Sequence, residues 1–167
     1  MRYRLDVVAP SVADVVRCAG GWLYDRVMAG WDVTVLVPDA HEDLPLQILG
    51  ARTLDLESAL QSVGSRAWPQ SLAVAGELFG ADGRVRRGVL DALAHDATEV
   101  TLWGAPSAAE LDHSVDAVEH HLRAAARVFK AQALAAIAGP SPVGAVEAFR
   151  SAIAPNRSVA ADLVPAG

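Results

Sequence analysis

The stretch LDVVAPSVADVVRCAGGWLYDRVMAGWDVTVLV, from Leu5 to Val37, decides the fold. The apolar, Val-rich run Tyr3–Ala9 predicts a strand. Apolar residues then recur at spacings of three and four, which predicts an amphipathic helix that ends at Gly30. The run Asp32–Val37 is almost continuously apolar, as in a strand that is covered on both faces. Two strands joined by such a helix predict a right-handed βαβ unit.

The rest of the chain carries patterns for further strands and helices. Pro69 can be the first residue of a helix, and Asp82 can cap the helix that follows. Beyond Pro106, apolar residues recur at threes and fours over a long stretch. The predicted elements are a strand over Ala51–Leu56, helices over Pro69–Phe79 and from Asp82 to His95, a strand over Thr98–Trp103, a long helix with an apolar stripe from Val115 to Ile137, and a last helix over Ser141–Ile153.

This order of elements predicts an α/β fold. We expect a three-layer, Rossmann-like domain with a mostly parallel sheet in the order 3-2-1-4, helices on both faces and a helical C-terminus. The domain is predicted to span residues 1–155, and residues 156–167 are predicted to form a flexible C-terminal tail. Such folds bind ligands beyond the carboxyl ends of the strands, where the strand order reverses. The loops after Ala9 and Trp103 are therefore the expected ligand site.

Charge and composition exclude several classes of protein. Lys plus Arg number 14 and Asp plus Glu number 20, so the net charge is −6, which disfavours a phosphate-backbone partner. The single cysteine, Cys18, cannot form an internal disulfide and suits a reducing compartment. No window holds about 20 uninterrupted apolar residues, and the N-terminus is typical of a strand, not of a signal peptide. We therefore expect a cytoplasmic protein with no nucleic-acid or membrane partner.

The turn after the first predicted strand carries a family resemblance. The segment Leu5–Val37 resembles the opening of the LmbE-like (PIG-L) N-acetylglucosaminyl deacetylases, which have a strand, a motif of the form A-H-P-D-D-E and then a Gly-Gly pair. Matching Gly20 and Gly21 to that pair needs no gap. Ser11 then falls on the motif His, Ala13 on the first Asp and Asp14 on the second Asp.

A second family motif, H-P-D-H, follows the family's fourth strand and leads into a helix. The comparable segment of this chain is Glu110–His113, in which Asp112 and His113 agree with the motif. The resemblance implies that zinc would be bound by the first motif's His and second Asp and by the last His of the second motif, with the first Asp as general base. Carried over, it leaves Asp14 and His113 as candidate metal ligands and puts Ser11 and Ala13 where the imidazole and the base would be.

These differences bear directly on the chemistry. Catalytic zinc needs three protein ligands and an open position for water. A serine hydroxyl is a poor zinc ligand, and Ala13 cannot accept a proton from the bound water. The resemblance therefore implies that the zinc motif of this chain is incomplete and that no cofactor is expected. Zinc could still bind weakly if a third ligand, such as His41, joined Asp14 and His113.

The same residues also have ordinary structural interpretations. Ser11 and Asp14 form an S-x-x-D pattern before an apolar helical stripe, which is typical of a helix N-cap. His113 can lie in the first turn of the long helix, where Asp116 could bond to it. The residues that could contact a ligand form a wider set than the two candidate metal ligands. These candidate cofactor-binding residues are Ser11, Gly20, Gly21 and Trp103.

Three functions follow from these alternatives. The first is a non-catalytic, LmbE-like binding or assembly protein, whose outer helices, Ser141–Ile153 above all, pack against a protein partner or a second copy of the chain. The second is a zinc-dependent N-deacetylase of an N-acetylated sugar or amide that uses Asp14 and His113. The third is a sugar-nucleotide-binding domain, although the chain lacks the G-x-G-x-x-G pattern typical of dinucleotide sites.

Overall fold

The computed structural model of the protein describes residues 2–62, 64–95, 97–104, 111, 114–152 and 162–167. In this part of the chain, no helix is long and apolar enough to cross a membrane. The strands are β1 Arg4–Val8, β2 Asp32–Val37, β3 Arg52–Asp55, β4 Ser71–Ala75, β5 Glu99–Trp103, β6 Asp116–His121, β7 Val146–Ala152 and β8 Val164–Pro165. The helices are α1 Val12–Met28, α2 Leu44–Ile48, α3 Leu56–Gln61, α4 Gly76–Ala81, α5 Gly83–Ala94 and α6 Ala124–Ala138.

The described strands form one mixed sheet in the order β3-β2-β1-β4-β5-β7-β6-β8. Strands β1 to β5 are parallel, and β6, β7 and β8 pair in antiparallel fashion. Apolar residues of α1, α2 and α6 pack on one face, and those of α3, α4 and α5 pack on the other. The predicted α/β class, with helices on both faces, is confirmed, and so is the βαβ unit of β1, α1 and β2.

The neighbour of β1 corrects the predicted strand order. The strand beside β1 is β4, and it comes from the segment that the sequence predicted to be a helix over Pro69–Phe79. The predicted fourth strand, Thr98–Trp103, exists as β5 but lies one position further out, beside β4. The residues of β4 are SLAVA, and their two alanines made this short strand look helical.

Two more segments that were predicted to be helical are strands. The first part of the long helix is β6, so that the helix itself begins only at Ala124. The predicted last helix, Ser141–Ile153, is wrong over β7, and the C-terminus is therefore not helical there. In both strands the alternation is hidden because buried positions carry polar side chains, namely His120, Glu147 and Ser151.

The end of the chain, from Asp162 onward, lies on the sheet. Val164–Pro165 pairs with β6, and Leu163 is buried. The Asp162 carboxylate accepts hydrogen bonds from Trp22 Nε1, at 3.0 Å, and from Arg26 Nε, at 2.6 Å. These described residues are held by specific contacts, whereas the sequence predicted a loose tail from residue 156.

The two central glycines of α1, Gly20 and Gly21, differ in how closely neighbouring side chains approach them. A Cβ atom on Gly21 would lie 2.2 Å from Leu122 Cδ2, closer than any real contact allows. A Cβ atom on Gly20 would lie 3.4 Å from Leu49 Cδ1, which is ordinary contact. Of the two glycines, each of which destabilises the helix, only Gly21 is therefore explained by a close contact.

A buried ion pair lies against the same turn of α1. Lys130 Nζ of α6 is 2.6 Å from Glu147 Oε2 of β7, and both residues are at most 5% exposed. The Glu147 carboxylate also accepts from the backbone N–H of Gly21, at 2.9 Å, and of Trp22, at 2.7 Å. Lys130 Nζ in turn donates to the carbonyl of Arg17 at 2.7 Å. One pair of charges thus joins α1, α6 and β7.

The two glycines form a matched pair for a stability test. We expect Gly20→Ala to raise the free energy of unfolding by up to about 1 kcal/mol, because alanine favours the helix and meets only ordinary contacts. We expect Gly21→Ala to lower it by about 1–3 kcal/mol, because the added methyl overlaps Leu122. Urea unfolding followed by circular dichroism measures both. Equal effects of the two substitutions would contradict this account of the packing.

Candidate active site

A cavity of about 600 Å³, termed the Ser11 cavity, opens beyond the carboxyl ends of β1 and β2. The turn from β1 into α1 lines it with Ser11 and Ala13, and the loop after β2 and the start of α2 line it with residues 39 and 41–45. Ala136 and Ile137, near the end of α6, close the remaining side. The cavity therefore lies at the first of the two loops that the sequence predicted for a ligand.

Ser11 is the N-cap of α1, as its spacing from Asp14 predicted. Its backbone is extended, with φ −159° and ψ 159°, and its Oγ accepts from the backbone N–H of Asp14 at 3.1 Å. This bond satisfies one of the free N–H groups at the start of the helix. The capping interpretation of Ser11 is confirmed, and it needs no metal.

The Asp14 carboxylate contacts two other side chains. Its Oδ2 accepts a hydrogen bond from Trp103 Nε1 at 3.0 Å, and its Oδ1 lies 3.9 Å from the thiol of Cys18. Three of the predicted site residues, Ser11, Asp14 and Trp103, are thus brought together at one end of α1. The contact with Cys18 could not be read from the sequence as a site feature, although the i,i+4 spacing of the two residues allows it.

Burial, and next the negative charge of Asp14, raise the pKa of the Cys18 thiol. The thiol therefore stays protonated at neutral pH and can donate to the carboxylate.

Two other predicted site residues, Gly20 and Gly21, lie away from this turn. Gly20 and Gly21 are buried in the middle of α1, where Leu49, Leu122 and the Glu147 carboxylate surround them. Their role as ligand contacts stays a prediction. His113 lies outside the described residues, as do Asp112 and Glu110 of the same predicted motif.

The described residues at this turn do not fit a catalytic zinc ion. The Ser11 hydroxyl caps α1, Ala13 has no acceptor for a proton, and the Asp14 carboxylate accepts from the indole of Trp103. In the described ranges, no three side chains of His, Cys, Asp or Glu are grouped as a metal would require. The donor set differs from the three ligands and neighbouring base that zinc hydrolysis needs.

The cavity is rich in oxygen acceptors. Its loop side carries Asp39, Glu42 and Asp43 beside His41, and its described lining includes neither Lys nor Arg. Asp39 Oδ1 accepts from the backbone N–H of His41 at 3.1 Å, which orders the loop. Of these residues, only His41 was named as a site candidate from the sequence. Their place directly after the carboxyl end of β2 was the signal that could have assigned them to the site.

A second cavity, of about 400 Å³, lies at the far end of α1. The His120 ring that lines it is already engaged, since Nε2 is 2.7 Å from Asp25 Oδ2 and Nδ1 is 2.8 Å from the carbonyl of Asp162. Arg26 lies over the rings of Trp22 and Trp31 and pairs with the same Asp162. These groups hold the end of the chain against α1, so this cavity is lined by structural contacts.

Comparison by sequence identifies no relative. No protein-family model matches the chain, and no curated protein matches it.

Comparison by structure finds deacetylases. A deacetylase–teicoplanin complex superposes with a TM-score of 0.64 at 14% identity, over 92% of this chain and 99% of that one. The A40926 pseudoaglycone deacetylase gives a TM-score of 0.61 at 17% identity, over 81% of each chain. The zinc-inhibited form of teicoplanin deacetylase gives 0.59 at 14% identity, over 80% and 83%. The chain therefore has the fold of these deacetylases, which confirms the predicted LmbE-like resemblance at the level of the fold.

The titration of Cys18 reports on the charge of Asp14. We expect the rate of alkylation by iodoacetamide to rise with pH at a higher midpoint in the folded protein than in the urea-unfolded chain, because burial and Asp14 disfavour the thiolate. Asp14→Asn should lower that midpoint, since it removes the nearby charge but leaves the burial. Mass spectrometry of the alkylated protein measures the rates. A midpoint that does not move in Asp14→Asn would contradict the assigned contact.

Proposed function

We propose that this protein is a ligand-binding domain on a deacetylase fold that binds its ligand in the Ser11 cavity without hydrolysing it. The observation that carries the proposal is the chemistry of the turn after β1. Ser11 is used as a helix cap, Ala13 offers no proton acceptor and Asp14 is bonded to Trp103. Hydrolysis of an amide requires an activated water, and Ala13 cannot take its proton at the position where the family motif has its base.

The ligand class that the cavity favours is an N-acetylated amino sugar or a glycoside that contains one. The structural relatives include a deacetylase bound to teicoplanin and a deacetylase of the A40926 pseudoaglycone. The carboxylates of Asp39, Glu42 and Asp43 can accept hydrogen bonds from sugar hydroxyl and amide N–H groups. The apolar side of the cavity, with Ile137 and Leu44, can pack against a sugar ring or an acyl group.

A zinc-dependent N-deacetylase is the second candidate. The observation in its favour is that the structural relatives are themselves deacetylases. Under this hypothesis Asp14 and His113 would bind the zinc, together with a third ligand such as His41. It requires one oxygen of Asp14 to exchange its present contact, with Trp103 or with Cys18, for the metal, and it requires a proton acceptor other than residue 13.

Binding and turnover separate the two candidates. We expect N-acetylglucosamine or an N-acetylglucosaminyl glycoside to bind in isothermal titration calorimetry, and no free amine to appear when the same ligands are incubated with the protein and added zinc. Ile137→Trp should abolish binding because it fills the cavity from α6. Val128→Trp is the matched control, since Val128 lies on the same helix and is 59% exposed outside the cavity lining.

Each result has a definite meaning. Zinc-dependent release of amine that is lost in Asp14→Ala would support the deacetylase and overturn the proposal. Binding of a nucleoside diphosphate sugar, with no binding of the free acetylated sugar, would favour the sugar-nucleotide alternative. Light scattering of the same samples tests the predicted homo-oligomer, whose suggested surface, the helix over Ser141–Ile153, is replaced by strand β7.

A further inference from the structure

We infer that Asp14 is a positioning residue, whose carboxylate joins the first turn of α1 to the end of β5 through the indole of Trp103 and is committed to that contact instead of to a metal ion. This inference concerns the fold of the site and holds whichever ligand the cavity takes.

The polar atoms of Asp14 are engaged within the chain. Its backbone N–H donates to Ser11 Oγ at 3.1 Å, its Oδ2 accepts from Trp103 at 3.0 Å, and its Oδ1 faces the thiol of Cys18 at 3.9 Å. The indole hydrogen on Oδ2 carries partial positive charge and would repel a cation that approached the same oxygen. Rotating the carboxylate away would leave the N–H of Trp103, which is 3% exposed, without its acceptor.

The contact spans β4, because β1 and β5 are not neighbours in the sheet. Strand β4 lies between them, so the ends of β1 and β5 are separated by about 10 Å, or two strand spacings. A small side chain at the end of β4 leaves space for this reach. Ala75 pairs in register with Trp103, and the two residues belong to the same buried cluster. The sequence thus provides room for the indole to cross β4.

The same contact fixes one wall of the cavity. Asp14 holds Ser11 through its backbone N–H, and Ser11 and Ala13 both line the cavity. Because a hydrogen bond to a charged carboxylate is stronger than one between neutral groups, the indole anchors this turn more firmly than the cap alone. Loss of Trp103 Nε1–H should therefore loosen the entrance of α1.

A double-mutant cycle tests the contact. We expect Asp14→Ala and Trp103→Phe each to lower the Tm by about 5 °C, and the double variant to lose no more than the worse single variant. Asp14→Asn should lower the Tm much less than Asp14→Ala does, because the amide oxygen can still accept a hydrogen bond from the indole. Trp68→Phe is the matched control, since Trp68 is 43% exposed and its ring stacks on His95.

Additive losses in the double variant would overturn the inference. If Trp103→Phe does not fold, the comparison of Asp14→Asn with Asp14→Ala decides, and an equal loss in both would overturn it. Metal analysis of zinc-supplied, dialysed protein gives a second readout. We expect no zinc that depends on Asp14, and stoichiometric zinc that Asp14→Ala abolishes would overturn the inference. Failure of the sugar to bind would affect only the proposed function.

Discussion

The carboxylate of Glu147, held inside the protein against the backbone of α1, is the interaction on which the rest of the structure depends. It accepts the N–H groups of Gly21 and Trp22 and pairs with Lys130, which itself donates to the carbonyl of Arg17. A buried charge is tolerated only when it is paired and hydrogen-bonded, and these partners come from α1 and α6. The position of α1 relative to α6 and β7 is therefore set by one network. Glycine at residue 21 also leaves space for Leu122, which a Cβ atom there would overlap.

That network determines where the cavity lies. Lys130 positions α6, and two turns later the same helix supplies Ala136 and Ile137 to the cavity wall. At the start of α1, Ser11 and Ala13 line the facing wall, and Asp14 of the same turn is hydrogen-bonded to Trp103 of β5. A fold like that of the deacetylases thus surrounds a turn whose polar groups are hydrogen-bonded to each other. This is the physical basis on which binding without hydrolysis is proposed.

Local patterns predicted the first βαβ unit closely. The two strands are mostly apolar because both faces are covered, and the helix carries a clear apolar stripe and a serine N-cap. Among the strands that were missed, β4, β6 and β7 lack a clear strand pattern, for two different reasons. Glu147, His120 and Ser151 are buried although they are polar, and β4 is rich in alanine, so neither strand pattern nor strand propensity was visible. The burial of Glu147 depends on Lys130, and the burial of His120 depends on Asp25, and both partners are distant in sequence.

The sequence by itself determined the α/β class, the β1–α1–β2 unit, the cap at Ser11 and the absence of a base at residue 13, because each depends on residues that are close along the chain. The tertiary structure alone decided that β4 lies between β1 and β5, that Asp14 meets Trp103, and that the loop of Asp39 and His41 shares a cavity with the end of α6. Those outcomes depend on the pairing of strands and the burial of charges across the whole chain, which no local pattern records.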